Sequence, residues 1–269
     1  MKFNDKLSTA SKKNESLLCV GLDPDVEKMP SILRSTDDPV FEFNRRIIDA
    51  TKDLVIAYKP NLAFYEAMGL DGLKSLMKTI EYIPNDIPVI GDAKKGDIGH
   101  SAKAYASAMF DVLGFDAVTV NPYLGADSIT PFLDYEDKGV FVLCRTSNPS
   151  ARDFQNLGSK PLYQIVAESV VKWNVHKNCG LVIGATCPNE LMEIRTLVGE
   201  DMWILIPGIG AQGGDLRAAV KSGTNSRGER AIISSSRSIL YAGVKDDFDK
   251  KAREVALALR DQINLFRQD

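Results

Sequence analysis

Two acids and a lysine follow a short apolar run in the segment Gly91-Asp92-Ala93-Lys94-Lys95-Gly96-Asp97-Ile98. Asp92 and Lys94 are two residues apart, a spacing that places both side chains on the same face of a strand. A carboxylate beside an ammonium at a strand end is costly to desolvate unless the pair has a partner or a task. Taken alone, this spacing favours a structural salt bridge. The rest of the chain favours a catalytic role for the pair instead.

Short apolar runs recur along the chain, and each is nearly continuous rather than alternating, as in parallel strands buried on both faces. The segments between them have the apolar spacing of helices, and Asp38 before Pro39 is typical of a helix start. Further helices are predicted over 101–113 and 248–266. The predicted strands are 17–22, 55–59, 88–92, 117–121, 139–144, 181–184, 204–207 and 231–234.

Eight strands alternating with helices, without a linker or low-complexity break, predict an α/β fold: a single (β/α)8 TIM barrel over residues 1–269. An open, doubly wound sheet is the alternative, because a strand count alone does not prove closure. Polar and glycine residues collect only after the strands, where the catalytic sites of barrels lie. These strand ends are Gly21-Leu22-Asp23-Pro24, Tyr58-Lys59-Pro60-Asn61, Asn121-Pro122-Tyr123, Arg145-Thr146-Ser147-Asn148, Pro207-Gly208-Ile209-Gly210 and Ser234-Ser235-Ser236-Arg237.

A glycine-dense loop, which includes Gln212, follows the seventh predicted strand from Pro207 to Asp215. Its glycines let backbone N–H groups turn toward an anion, and the helix after it adds a favourable dipole. Ser236 and Arg237, after the eighth strand, add a hydroxyl and a fixed cation suited to phosphate. Because barrels commonly bind phosphate after strands seven and eight, we expect a phosphate site here.

The remaining charges are expected to form an alternating array of two ammoniums and two carboxylates at the other side of the mouth. Such an array is nearly neutral and can fix the position of each side chain. A Schiff-base lysine needs the neutral amine, whereas two flanking carboxylates favour the ammonium of Lys94. The pattern therefore argues against an aldolase and for proton delivery to a carbanion. The four members are Lys59, Asp92, Lys94 and Asp97.

The composition limits the classes of partner. A net charge of −3 and a pI near 5.6 give no electrostatic case for nucleic acid or an acidic membrane. No apolar run approaches the ~20 residues of a membrane span, and the first 16 residues lack the apolar core of a secretory signal, so we expect a cytoplasmic protein. Four scattered cysteines and two histidines offer little material for a metal site, a disulfide framework or a Ser-His-Asp triad.

The ordered set of motifs resembles the orotidine 5'-phosphate decarboxylase family, in its longer bacterial-type branch. The resemblance covers essentially the whole chain, and the complete set is far more specific than D-x-K-x-x-D alone, which sister phosphate-binding barrels share. The motifs are VGLDPD (20–25), YKPN (58–61), FYE (64–66), DAKKGDI (92–98), RTSNP (145–149), PGIGAQGG (207–214) and SSR (235–237).

The resemblance implies conversion of orotidine 5'-monophosphate to uridine 5'-monophosphate (UMP) and CO2, the last step of de novo UMP synthesis, without metal or organic cofactor. It implies that Lys94 donates the proton to C6 of the pyrimidine and that Asp92 lies near the departing carboxylate. It also implies a homodimer, with Asp97 and Ser101 reaching the neighbouring subunit's site.

The resemblance further implies how the substrate is held. Lys59 and Asp23 match groups on the ribose hydroxyls, and Ser147 matches the serine that contacts the pyrimidine edge. Gln212 and Arg237 match the phosphate-binding pair. The polar segment 147–158 is interpreted as a lid over the pyrimidine, with an ordinary surface loop as the alternative.

Two other functions remain open at this point. A sister enzyme on the same barrel, such as a 3-keto-gulonate phosphate decarboxylase or a pentose-phosphate epimerase, would share the phosphate site. A non-catalytic sugar-phosphate sensor belongs to a different class, although a binding module gains little from a lysine held between two acids.

Overall fold

The computed structural model describes residues 1–210 and 213–268, and its centre is a ring of parallel strands. The strands are β1 Leu18–Leu22, β2 Ala57–Pro60, β3 Ile90–Lys95, β4 Ala117–Val120, β5 Gly139–Arg145, β6 Cys179–Ile183, β7 Ile204–Pro207 and β8 Ala231–Ser235. Neighbouring strands follow the order β2-β1-β8-β7-β6-β5-β4-β3. Bridges from Tyr58 to Val89 and from Asn61 to Asp92 join β2 to β3 and close the barrel. The (β/α)8 barrel is therefore confirmed and the open sheet is excluded.

Helices surround the barrel and cover the outer face of the strands. Short 3-10 segments occur at Ser31–Ser35, Pro122–Leu124 and Pro149–Asp153. The α-helices are α1 Phe3–Lys13, α2 Pro39–Thr51, α3 Leu62–Glu66, α4 Gly69–Tyr82, α5 Gly99–Ser107, α6 Ala126–Leu133, α7 Leu162–Trp173, α8 Pro188–Val198, α9 Leu216–Gly223, α10 Arg237–Leu240 and α11 Phe248–Phe266. None of the helices in the described ranges is long and apolar enough to cross a membrane.

The strand predictions agree with the structure within about two residues, except at β3. We expected that strand to end at Asp92, but it continues to Lys95. Lys95 pairs with Val120 of β4 after a shift in register. The charged residues are thus part of an irregular strand end rather than of the loop after it.

The first helix was not predicted, because the segment reads as polar. One stripe of α1, formed by Phe3, Leu7 and Ala10, is nonetheless buried. The ring of Phe3 meets Phe141 of β5 edge-on, with centroids 5.9 Å apart. Its backbone N–H also donates to the carbonyl of Asp137, just before β5. The helix therefore packs at the amino end of β5, opposite the polar strand ends.

Of two predicted helices in the outer layer, one begins at the expected residue and the other differs from the prediction. The start of α2 is as expected, since Asp38 accepts a hydrogen bond from the backbone N–H of Phe41 and Pro39 is the first helical residue. The predicted helix over 101–113 is instead α5 followed by a π-helical turn, Ala108–Val112. That turn buries Met109 and Phe110 against the barrel.

Candidate active site

A cavity of about 570 Å³ opens at the carboxyl ends of the strands. This volume lies within the range of small-molecule sites. Every strand contributes to its wall directly or through the residues that follow it. Among the residues expected from the sequence, it is lined by Asp23, Lys59, Asp92, Lys94, Ser147, Pro207, Ser236 and Arg237.

The charged cluster, which we define as Lys59, Asp92 and Lys94, is held together by direct ion pairs. The Lys59 ammonium lies 3.1 Å from Oδ2 of Asp92, and the Lys94 ammonium lies 2.6 Å from Oδ1 of the same carboxylate. Side-chain exposure rises from 5% at Lys59 and 12% at Asp92 to 47% at Lys94. The Asp92 carboxylate is thus held by the buried Lys59 on its inner side, and it binds the half-exposed Lys94 at the mouth of the cavity.

Burial and charge act in opposite directions on the cluster. Burial alone lowers the pKa of Lys59 and raises that of Asp92, because both side chains lose contact with water. The charges of Asp92 and Asp23 outweigh burial and raise the pKa of Lys59. In the same way, Lys59 and Lys94 hold the pKa of Asp92 well below its usual value. Both groups are therefore ionised at neutral pH.

Thr119, on β4, completes the shell of the Asp92 carboxylate, and the sequence reasoning missed it. Its hydroxyl donates to Oδ1 of Asp92 at 2.9 Å. The hydroxyl oxygen of Thr119 accepts in turn from the backbone N–H of Lys94 at 3.0 Å. The available signal was a single polar residue within the apolar run Ala117–Val120.

Asp23 lies at the end of β1, beside the charged cluster. Its Oδ1 accepts a hydrogen bond from the backbone N–H of Asn61 at 3.2 Å. Asn61 also lines the cavity, and its side chain accepts from the backbone N–H of Ala63 at the start of α3. These contacts fix the turn after β2, which carries Lys59 into the site.

We call the opposite wall, formed by Gly208, Ile209, Ser235, Ser236 and Arg237, the glycine-rich side. Gly208 has a φ of +103°, a left-handed conformation that favours glycine. The Ser235 hydroxyl is 2.8 Å from that of Ser238, and Arg237 is exposed at the first position of the short α10. This side therefore presents hydroxyls and a guanidinium to the cavity.

Gln212, which the sequence assigns to this wall, lies outside the described residues.

The segment after β5 contributes a wall through four of its residues, Thr146, Ser147, Asn148 and Gln155. The Gln155 amide binds Thr146 twice, accepting from its backbone N–H and donating to its hydroxyl, both at 2.8 Å. Gln155 lies within the segment 147–158 that we interpreted as a lid, but the sequence did not single it out, since its position depends on this contact with Thr146. Part of the segment thus borders the cavity, whereas Phe154 is 64% exposed.

Apolar side chains line the cavity between its two polar sides. Leu143, Val182 and Leu205 come from β5, β6 and β7 in turn. Val182 and Leu205 are buried. A low-dielectric surface of this kind strengthens the electrostatic interactions made beside it.

The structure does not bring Asp97 or Ser101 into the cavity of their own chain. Asp97 is half-buried after β3, and its side chain accepts a hydrogen bond from the backbone N–H of Ile98. Ser101 is exposed near the start of α5. The four-membered array expected from the sequence is therefore three-membered within one chain.

The described parts of the chain contain no group of three or more histidine, cysteine, aspartate or glutamate side chains that could hold a metal ion. The cysteines are free and buried. Burial raises the pKa of Cys19, Cys144 and Cys179 to about 12, so these thiols are poor nucleophiles at neutral pH.

Fold and cavity together define the chain as a (β/α)8-barrel enzyme with a charged cluster at the carboxyl ends of the strands. Residues 16–251 match the model of the orotidine 5'-phosphate decarboxylase / HUMPS family. That match spans most of the chain. The protein therefore belongs to this family, and it is an enzyme of the orotidine 5'-phosphate decarboxylase type.

Individual relatives agree over their full lengths. An orotidine 5'-phosphate decarboxylase of Cellvibrio japonicus is 54% identical, covering 99% of this chain and 100% of the relative. One from Dehalococcoides mccartyi is 51% identical, covering 100% and 99%. The solved structure of Leishmania donovani OMP decarboxylase is 40% identical, with a TM-score of 0.88 and complete coverage of both chains.

Proposed function

We propose that this enzyme decarboxylates orotidine 5'-monophosphate to UMP and CO2, the last step of de novo UMP synthesis, without a cofactor. One observation carries the proposed mechanism: the Lys94 ammonium lies 2.6 Å from a carboxylate that a second, buried lysine holds ionised. An ammonium fixed in this way can stabilise negative charge that develops beside it and can then donate a proton.

In the proposed reaction, the bond between C6 of the pyrimidine and its carboxylate carbon breaks. The carboxylate leaves as CO2, and its bonding electron pair remains on C6 in an orbital that the ring cannot delocalise. Lys94 stabilises this carbanion and transfers a proton from Nζ to C6, which gives UMP. The neutral amine then regains a proton from water. Asp92 lies beside the departing carboxylate and keeps Lys94 in place.

Binding of the rest of the substrate is assigned to the other parts of the wall. We propose that Lys59 and Asp23 bind the ribose hydroxyls and that Ser147 contacts the pyrimidine edge. Pro207, Gln212, Ser236 and Arg237 are assigned to the phosphate end. The exposed guanidinium of Arg237 and the positive φ at Gly208 support the assignment of that end. Binding energy from the distant phosphate can then be realised at the reacting carbon.

The decisive experiment follows the ultraviolet absorbance of orotidine 5'-monophosphate after addition of purified enzyme, with EDTA present throughout. We expect rapid conversion to UMP. If the folded protein binds UMP in isothermal titration but produces no conversion, it is a sugar-phosphate sensor instead. If it acts only on other sugar phosphates, it is a sister enzyme of the same barrel.

We further propose that the active unit is a homodimer in which Asp97 and Ser101 complete the neighbouring site. Two observations support this. Both residues lie outside the cavity of their own chain. In addition, large apolar side chains are exposed on the same side of the barrel, with Ile98 at 53%, Tyr123 at 80% and Leu124 at 49%. A second copy of the chain would cover such a surface.

Mixing two inactive variants tests this arrangement. In a mixed dimer of Lys94→Ala and Asp97→Ala, one site combines an intact Lys94 with an intact Asp97 from the partner. Random exchange of subunits should restore about a quarter of the wild-type activity. If Asp97 acts within its own chain, mixing restores no activity.

We also propose that residues 1–269 act as one catalytic domain in the cytoplasm. The free, buried cysteines support a reducing compartment.

A further inference from the structure

The backbone around Lys94 departs from a regular strand. Lys94 has a φ of +47°, which is unusual for a residue with a side chain. The parallel pairing of β3 with β4 is also interrupted, because Gly91 faces Val118 whereas Lys95 faces Val120. Three residues of β3 therefore lie opposite a single residue of β4, Thr119. The regular backbone hydrogen bonds between β3 and β4 are therefore interrupted over Asp92, Ala93 and Lys94.

The hydroxyl of Thr119 supplies the missing connections. It accepts a hydrogen bond from the backbone N–H of Lys94 at 3.0 Å and donates one to Oδ1 of Asp92 at 2.9 Å. Thr119 is only 1% exposed, so solvent does not compete for these bonds. A valine at this position, as at Val118 and Val120 on either side, would fill similar space and offer neither hydrogen bond.

The two hydrogen bonds of Thr119 both restrain the ion pair between Asp92 and Lys94. Oδ1 of Asp92 accepts both from Thr119 and from the ammonium of Lys94, at 2.6 Å. One hydroxyl therefore restrains the Lys94 backbone and also the carboxylate that holds the Lys94 side chain. Lys94 itself is half exposed at the mouth, so burial restrains its ammonium less than it restrains that of Lys59.

We propose that Thr119 is a positioning residue that aligns the Lys94 ammonium with the reacting carbon through the Lys94 backbone and the Asp92 carboxylate. The inference rests on the proposed function for its kinetic consequence, whereas the geometric part stands on the contacts alone. Misplacement of a catalytic group by about 1 Å is enough to cost on the order of 10²-fold in rate.

The test compares Thr119→Val, which removes the hydroxyl, with Thr119→Ser, which keeps it. We expect Thr119→Val to lower kcat on the order of 10²-fold, with KM and UMP affinity changed by less than about threefold. Thr119→Ser should recover kcat to within about fivefold of wild type. Thr51→Val is the matched control, because Thr51 is a buried threonine of α2 whose hydroxyl bonds to Ile47 and Tyr58, outside the cavity lining. It should retain wild-type kcat.

A crystallographic measurement makes the test independent of turnover. In Thr119→Val, the Lys94 ammonium and Oδ1 of Asp92 should separate beyond hydrogen-bond distance, whereas Thr119→Ser and Thr51→Val should retain the contact. If Thr119→Val does not fold, Thr119→Ala takes its place.

The proposal is overturned if the hydroxyl-free variant keeps wild-type kcat or an unchanged Lys94–Asp92 contact, or if Thr119→Ser is as slow as Thr119→Val. Failure of the wild type to decarboxylate orotidine 5'-monophosphate would instead refute the proposed function, and the crystal structures would still decide the geometric part.

Discussion

The charged cluster and the glycine-rich side face each other across one cavity, but they differ in how far the chain alone has organised them. The Asp92 carboxylate accepts from Lys59, Lys94 and Thr119, so three of its roughly four acceptor sites are already occupied within the chain. On the other side, Arg237 is exposed at the mouth. The charged cluster is therefore preorganised by its own ion pairs, whereas the glycine-rich side would be completed by the phosphate that we propose it binds.

The largest expected effect comes from removing the lysine at the mouth of the charged cluster. Lys94→Ala should lower kcat on the order of 10⁵-fold, because both the electrostatic stabilisation and the proton donor are lost. UMP affinity should change little, since the glycine-rich side is untouched. Steady-state kinetics and isothermal titration with UMP measure the two quantities.

Lys95→Ala is the matched control for that variant. Lys95 is the next residue, but it pairs with Glu66 and lies over the ring of Tyr105, outside the cavity lining. We expect near-normal turnover. Near-normal turnover in Lys94→Ala as well would refute the assigned role.

Asp92→Asn should destabilise the folded protein, because it removes one charge of the preorganised cluster. It removes the carboxylate that is ion-paired with the buried Lys59 and leaves only the charge of Asp23 nearby, which should lower the free energy of unfolding by about 3–5 kcal/mol at neutral pH. Because the pKa of Asp92 is lowered in the folded state, its contribution is complete above its ordinary value of 3.8 and is lost as the pH falls further. Lys59 has a raised pKa, so its contribution is complete below 10.5.

The difference in the free energy of unfolding between wild type and Asp92→Asn should therefore be constant from about pH 5 to pH 9. It should become smaller below about pH 4. Urea unfolding across this range measures it. Asp71→Asn is the control: its 92% exposed carboxylate pairs only with Lys74 on the surface, so the difference should stay below about 1 kcal/mol. A difference that grows at low pH would contradict an ionised Asp92 in the folded state.

Arg237→Ala should act in the opposite way, on binding more than on the chemical step. The loss of a cation that pairs with a phosphate should weaken UMP binding by about 2–5 kcal/mol. Arg227→Ala removes a guanidinium that pairs with Glu229 away from the cavity, and it should bind UMP normally. Equal UMP affinity in the two variants would show that the phosphate end lies elsewhere.

The contrast between these regions also explains what the sequence could predict. The strands were predictable because they are apolar throughout, and the polar residues after them mark the site in any barrel. The types and order of Asp23, Lys59, Asp92 and Lys94 were visible as motifs. Their gathering in one cavity follows from the closed ring of parallel strands.

Contacts that depend on irregular backbone were not predictable in this way. The register shift that brings Thr119 opposite Asp92 and Lys94 has no signature beyond one polar residue in a strand. Gln155 matters only because its segment folds back onto Thr146. The helix α1 was missed because its buried stripe is narrow among charged residues, so only packing against β5 distinguishes it from a polar tail.

The role of Lys94 as proton donor is tested most directly by following proton exchange at C6 of UMP in D2O by ¹H NMR. If Lys94 exchanges a proton with a C6 carbanion, the wild-type enzyme and Lys95→Ala should replace the H6 signal with deuterium, whereas Lys94→Ala should leave it intact. Equal loss of the H6 signal in wild type and Lys94→Ala would contradict the assignment of Lys94 as the proton donor.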